Sequence, residues 1–182
     1  MCGERSLATV SAMPLLRLTV DGSPREVDVD TRTSLLDALR ERLEVTAPKK
    51  GCDHGQCGSC TVLLDGRRSL ACLALAVAHD GAEVVTAAGL GTADEPHPVQ
   101  QAFLDHDGYQ CGYCTPGQVC SVVGMLEEAA LGHPSHVTAD LDPDAGVDLD
   151  DAEVRERMSG NLCRCGAYAG ILDAVRQSVG AR

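Results

Sequence analysis

Large rings are almost missing from this chain: 182 residues hold no Trp, one Phe and three Tyr. Aromatic side chains normally supply much of a core's buried area. Leu, Val and Ala must build this core, so a second source of stability is expected. Positive charge is scarce as well. Fifteen Lys and Arg face 27 Asp and Glu, for a formal net charge of -12. A nucleic-acid or anionic-membrane surface needs basic patches, so no nucleic acid and no membrane is expected as a partner. No apolar run approaches the roughly 20 residues that span a bilayer. Residues 1–14, MCGERSLATVSAMP, have no apolar stretch of signal-peptide length and no twin-Arg pair. That stretch is read as flexible and the chain as cytoplasmic. Walker and dinucleotide phosphate loops are absent. No Ser/His/Asp or paired-carboxylate arrangement can be argued, so the catalytic residue set is empty.

Ten cysteines are what the chain has in excess. In a reducing compartment stable disulfides are rare and cysteine clusters point to metal. Their setting changes along the chain. Residues 15–22, LLRLTVDG, read as a strand with an Asp-Gly turn, and 25–30 as its hairpin partner. Thr33 or Ser34 caps a helix SLLDALRERL, with Asp37 three residues after Ser34 at the capping-box position. Strands follow at 61–65 and 82–86, with Leu70–Ala78 ambiguous between strand and helix. After a small-residue linker at 87–98 the periodicity turns helical: 98–107, 115–131, 151–158 and 168–179. Residues 132–150 carry prolines, glycines and aspartates without pattern and read as a surface loop.

Cys52, Cys57 and Cys60 have the C-x4-C-x2-C spacing of plant-type [2Fe–2S] ferredoxins, with Cys72 as the fourth thiol. Gly51, Gly55 and Gly58 let such a loop curl its N–H groups toward sulfide. A zinc knot normally presents two C-x2-C pairs, which this loop does not. His54 raises a Rieske-type ligand, but that centre needs two histidines and the four thiols fill the site. The other histidines read as surface residues. Cys111-x2-Cys114 and Cys163-x-Cys165 form a second candidate site. Zinc stays open there on spacing alone, although both loops lead into helix N-termini that favour anions. Cys120, in an apolar helical stretch, reads as a buried free thiol, and Cys2 is left unassigned.

The stretches GCDHGQCGSCTV, QCGYCTPGQ and NLCRCGAY resemble the signatures of the small iron–sulfur subunit of the molybdenum hydroxylase (xanthine dehydrogenase/oxidase) family. The resemblance runs from about residue 15 to 179. It implies an α+β chain: a plant-type ferredoxin-like β-grasp domain at 15–90, then a helical four-helix-bundle domain at 91–182 with a loop inserted at about 132–150. It implies one [2Fe–2S] cluster on Cys52, Cys57, Cys60 and Cys72, and another on Cys111, Cys114, Cys163 and Cys165. The implied role is electron transfer for a molybdenum-dependent enzyme, with no substrate site on this chain. A large partner subunit would carry molybdopterin and a medium one FAD, in a heterotrimer or a dimer of heterotrimers. Gln110 and Cys165 would approach the partner's molybdopterin. The 132–150 loop and the segment RERMSGNLCRCGAY look like the aldehyde oxidoreductase branch. A xanthine/purine, CO or N-heterocycle hydroxylase is the alternative, and a zinc-stabilised interaction module the distant one. The aldehyde branch carries a periplasmic twin-Arg export signal, a feature not seen here.

Overall fold

The computed structural model describes residues 13–142 and 146–180. Cys2 and the stretch 1–12, with its expected flexibility, lie outside these. Strand β1, Leu15–Val20, alternates: Leu16, Leu18 and Val20 are buried while Leu15 and Arg17 face out. Asp21 and Gly22 both take positive φ, of 49° and 74°. This is the backbone a tight hairpin needs to match strand twist, and it returns the chain into β2, Ser23–Asp28. Strands β3, Thr61–Leu64, and β4, Arg67–Leu70, form a second hairpin. With β5, Glu83–Val85, they complete a sheet in the order β2-β1-β5-β3-β4, in which β1 and β5 run parallel. This is the β-grasp arrangement.

The helix beneath the sheet is α1, Leu35–Asp37, continuing through Ala38–Arg42 in a wider coil in which the Leu43 N–H reaches the Ala38 carbonyl. Ser34 Oγ accepts from the Asp37 N–H at 3.1 Å as expected. The Asp37 carboxylate pairs with Lys50 Nζ at 2.7 Å, so the helix is tied to the loop that carries Cys52. Leu35, Leu36 and Leu39 pack with Leu16, Leu18, Val62 and Val84 in one core.

Among the described residues four helices make the second half: α2, Pro98–Asp105; α3, Thr115–Ala130; α4, Asp151–Met158; and α5, Tyr168–Gly180. The single Phe, Phe103, is 1% exposed and sits in their core with Val122, Met125, Ile171 and Val175. No described helix is long and apolar enough to cross a membrane. The described part of 132–150 holds no helix or strand, but it is anchored: Thr138 Oγ1 hydrogen-bonds Glu153, and Arg157 donates to the His133 carbonyl.

Every residue of β3 is buried. Val62 and Leu64 face the grasp core, while Leu63 meets Gly124 of α3. The two halves therefore share β3 as a wall. Arg68 of β4 reinforces it, reaching Glu128 of α3 with two nitrogens and the Arg157 carbonyl with a third. The sequence reading misses β4 because Arg67, Arg68 and Ser69 hide its alternation. The ambiguous stretch from Leu70 resolves as the end of β4, a turn, and one short helical turn over Ala76–His79.

Candidate metal centres

The first site grows out of the β3–β4 hairpin. Thr61 pairs with Leu70, which sets Cys60 and Cys72 side by side at the open end of the hairpin. Their thiols share a hydrogen bond. The loop from Lys49 to Ser59 closes on itself through Lys49 N–H to Ser59 O at 3.0 Å. Positive φ at Asp53, Gly55 and Gly58 curls it, and the curl brings Cys52 and Cys57 into a second thiol pair. The Gln56 N–H donates to Cys52 Sγ at 3.2 Å. Backbone N–H groups of His54 and Gln56 hold the Cys52 thiol down to about 6. Burial pushes Cys60 the other way, up to about 12. A buried thiol of that kind becomes a thiolate only with a cation beside it. A Cβ at Gly51 would lie 2.7 Å from Cys57 Sγ, so the cradle is filled to the limit. The His54 ring turns away from a ligand role, with Nδ1 2.5 Å from the Cys52 carbonyl.

The second site joins two turns that open helices. Gly112 and Gly166 take positive φ, of 77° and 75°, between or just after the paired cysteines. The turns place Cys111 against Cys165 and Cys114 against Cys163, each pair sharing a hydrogen bond. Cys114 is pushed up to about 12 by burial. Cys111 is held below its ordinary value by the Tyr113 N–H and by Cys165. Ala167 N–H reaches Cys163 Sγ at 3.4 Å. A cavity of about 410 Å³ is lined by Cys111, Cys114 and Cys163 together with Cys57 of the first loop, so the two sites adjoin. Gln110, Cys111 and Cys165 are exposed, while Cys163 is buried.

The geometry brings together all eight thiols named from the sequence, as four pairs. Two ligands for each of two irons is what a [2Fe–2S] cluster takes. Zinc instead closes its ligands around one point. Among the described residues no three His, Cys, Asp or Glu side chains gather around a single-ion position. The donor set thus fits [2Fe–2S] at both sites better than zinc. Cys120 joins neither: it is fully buried in α3, and burial pushes its thiol up to about 12.

Sequence reasoning overlooked several partners. Tyr113 donates to the Lys50 carbonyl at 2.7 Å, and the Tyr168 hydroxyl accepts from the Cys163 N–H at 2.8 Å. His97 is half-buried and caps α2 through Nδ1, accepting from Val99 N–H, so it is more than a surface residue. Asn161 and Gln118 are buried between the halves. Asn161 stands inside the motif NLCRCGAY, yet a motif records position and not the three-dimensional contacts of its polar members.

Comparison with known proteins agrees with this geometry. Residues 18–82 match the "2Fe-2S iron-sulfur cluster binding domain" family, and residues 86–176 the "[2Fe-2S] binding domain" family. The chain is 59% identical over 170 residues to the aldehyde oxidoreductase iron-sulfur-binding subunit PaoA of Escherichia coli, covering 92% of this chain and 72% of that one. It is 39% identical over 161 residues to the small subunit of nicotine 6-hydroxylase from Paenarthrobacter nicotinovorans, with 88% and 87% covered. The crystal structure of quinoline 2-oxidoreductase from Pseudomonas putida superposes with a TM-score of 0.77 at 36% identity, covering 94% of this chain and 96% of the matched one.

Proposed function

The chain belongs to the iron–sulfur small subunits of the molybdenum hydroxylase family, and from that membership we propose that it wires an aldehyde-oxidising molybdenum enzyme to its flavin. In this reading Cys52, Cys57, Cys60 and Cys72 hold one [2Fe–2S] cluster, and Cys111, Cys114, Cys163 and Cys165 the other. Each cluster, when bound, supplies a site that accepts and releases one electron. The residues around them do the rest. Backbone N–H groups at Gln56 and Ala167 stabilise thiolate charge. The exposed Gln110 and Cys165 would meet a large molybdopterin-binding subunit, and electrons would enter there. They leave by the first loop toward FAD on a medium subunit, in a heterotrimer or a dimer of heterotrimers.

The observation that carries this reading is the pairing of eight thiols at two adjoining sites. The aldehyde assignment rests on identity: 59% to the iron–sulfur subunit of an aldehyde oxidoreductase, compared with 39% to the small subunit of a nicotine hydroxylase. The second reading is an N-heterocycle hydroxylase, favoured by the likeness to the quinoline enzyme over nearly the full length of both chains. Dye reduction by the purified native complex separates the two. Turnover of aromatic aldehydes without turnover of quinoline, nicotine or xanthine supports the first. Turnover of the heterocycles alone refutes the aldehyde branch and leaves the cluster ligands as assigned.

A further inference from the structure

In the wall between the two halves one buried amide, two residues before Cys163, bonds both to the first ligand loop and to α3, the helix that follows Cys114. Asn161 is 7% exposed. Its Nδ2 donates to the Gly58 carbonyl at 3.0 Å and lies 3.4 Å from Thr61 Oγ1, so it grips the first loop between Cys57 and Cys60 and the residue just after it. Its Oδ1 accepts from Ser121 Oγ of α3 at 2.7 Å. Its backbone carbonyl accepts from Gln118 Nε2 at 2.9 Å, and the Gln118 amide also reaches the Cys114 thiol. Ser121 and Gln118 are each 1% exposed. The next residue, Leu162, donates its N–H to the Cys57 carbonyl at 2.9 Å, and Cys163 follows it directly. Gly58 has no room for a side chain: a Cβ there would sit 2.5 Å from the Gly160 carbonyl and 2.6 Å from Asn161 Nδ2.

We infer that Asn161 is the positioning residue that sets the separation between the two iron–sulfur sites. None of its hydrogen bonds goes to a cysteine thiol. It acts by fixing Gly58 of the first loop against Ser121 and Gln118, which follow Cys114, and against Cys163 through its own chain. The selection of an amide follows from the chemistry. The donors must meet two oxygens on one side and the acceptor a hydroxyl on the other, and Asn presents both within one short side chain. A buried polar group bonded on all sides rigidifies the packing around it. Electron exchange and magnetic coupling between two clusters both depend steeply on their separation. This inference rests on the two-cluster reading above.

The test uses the native complex carrying Asn161→Ala, compared with wild type and with Ser121→Ala. Iron and acid-labile sulfide are counted first. Electron paramagnetic resonance of the fully reduced complex then reads each cluster's own signal and the spin–spin splitting between them, and rapid kinetics reads intercluster electron transfer. The expected result is full iron content and unchanged individual signals, with both the splitting and the intercluster transfer rate reduced relative to wild type. Full iron content with wild-type splitting and rate overturns the inference, because the amide would then be packing alone. Should Asn161→Ala lose iron, Ser121→Ala decides, since it removes the bond from α3 to the Asn161 side chain while leaving the Gly58 bond and both ligand loops intact. Unchanged splitting there overturns the inference as well. Failure of the two-cluster reading is separate: wild type itself would then lack two distinct iron–sulfur signals.

Discussion

Replacing Gly by Ala inside a helix ordinarily stabilises a protein, by at most about 1 kcal/mol. Gly117, in the first turn of α3, should do the opposite. A Cβ built there lies 2.4 Å from the Gly58 carbonyl oxygen and 3.0 Å from the backbone of Ser59. Both neighbours are main chain of the first cluster loop, pinned by Asn161 and by the Thr61–Gly58 bonds, so no side chain can swing aside. Relief requires α3 and the loop to part by about 1 Å. Overpacking of this kind costs about 1–3 kcal/mol. Set against the helix gain, Gly117→Ala should cost about 1–2 kcal/mol net and lower the apparent melting midpoint by about 2–8 °C for a chain of this size. Two comparisons sharpen the expectation. Gly124→Ala meets the Arg68 side chain at 2.3 Å, which can give only by loosening its Glu128 pair, and should lose less. Gly180→Ala meets nothing within 4 Å and should be neutral or slightly stabilising. The assay is a thermal scan of the holoprotein at one heating rate, followed by visible cluster absorbance. A Gly117→Ala midpoint equal to or above that of Gly180→Ala would refute the close-approach reasoning.

Ligand substitution should split the two sites: Cys57→Ser should abolish one resonance signal and spare the other, and Cys165→Ser the reverse, while loss of the same signal in both would refute two independent clusters. Removing either cluster should also lower the stability of its own half, because metal binding and folding are coupled. Arg157→Met should cost about 3–5 kcal/mol in denaturant titration, because it leaves Glu153 buried without the guanidinium that now lies 2.9 Å away. Burial pushes the Glu153 carboxyl up, but bonds from Thr138, Ser135 and Arg157 outweigh it and hold it below its ordinary 4.5. Its contribution is therefore complete above about pH 4.5 and is lost as pH falls through the lowered folded value. Glu153→Gln should show a shallower acid decline than wild type over that window, and an identical decline would refute the assignment. Cys120→Ala should keep about four irons per chain at a cost near 1 kcal/mol, and native Cys120 should resist alkylation; loss of iron would make it a ligand.

Much of the site was legible because ligand spacing is a local property. The C-x4-C-x2-C loop needs only its own glycines to curl, so Cys52, Cys57 and Cys60 could be read along the chain. The pairing of Cys111 with Cys165 could not, since 53 residues intervene and the closure depends on how α3 and α5 pack. Short strands and caps were readable where alternation or a turn pair marked them, as at Leu16–Val20 and Asp21-Gly22. β4 was lost because its face toward α3 is made by Arg68, whose charge reads as surface until Glu128 and the Arg157 carbonyl are beside it. The acidic stretch 140–153 shows the same limit. As a string it reads equally as a docking patch or as a solvated acidic loop. In space Glu153 is buried, Asp150 caps α4 and Asp151 binds Arg176, so part of that charge is already used inside the molecule.

That internal use of charge also accounts for the missing rings. Two small cores of Leu, Val, Ala and a single Phe bury little area each, and neither closes over the other. Between them the chain places the Arg68 guanidinium, held by both oxygens of Glu128, and the Asn161 amide, bonded to Gly58 on one side and Ser121 on the other. Contacts of this type add little net stability when exposed. Buried, they are directional, and breaking one leaves an unpaired group behind. An apolar wall also interdigitates, but a hydrogen bond adds a directional constraint that packing alone does not supply. Breaking either polar contact of this seam would leave a partner unpaired, so the seam specifies one arrangement of the two halves.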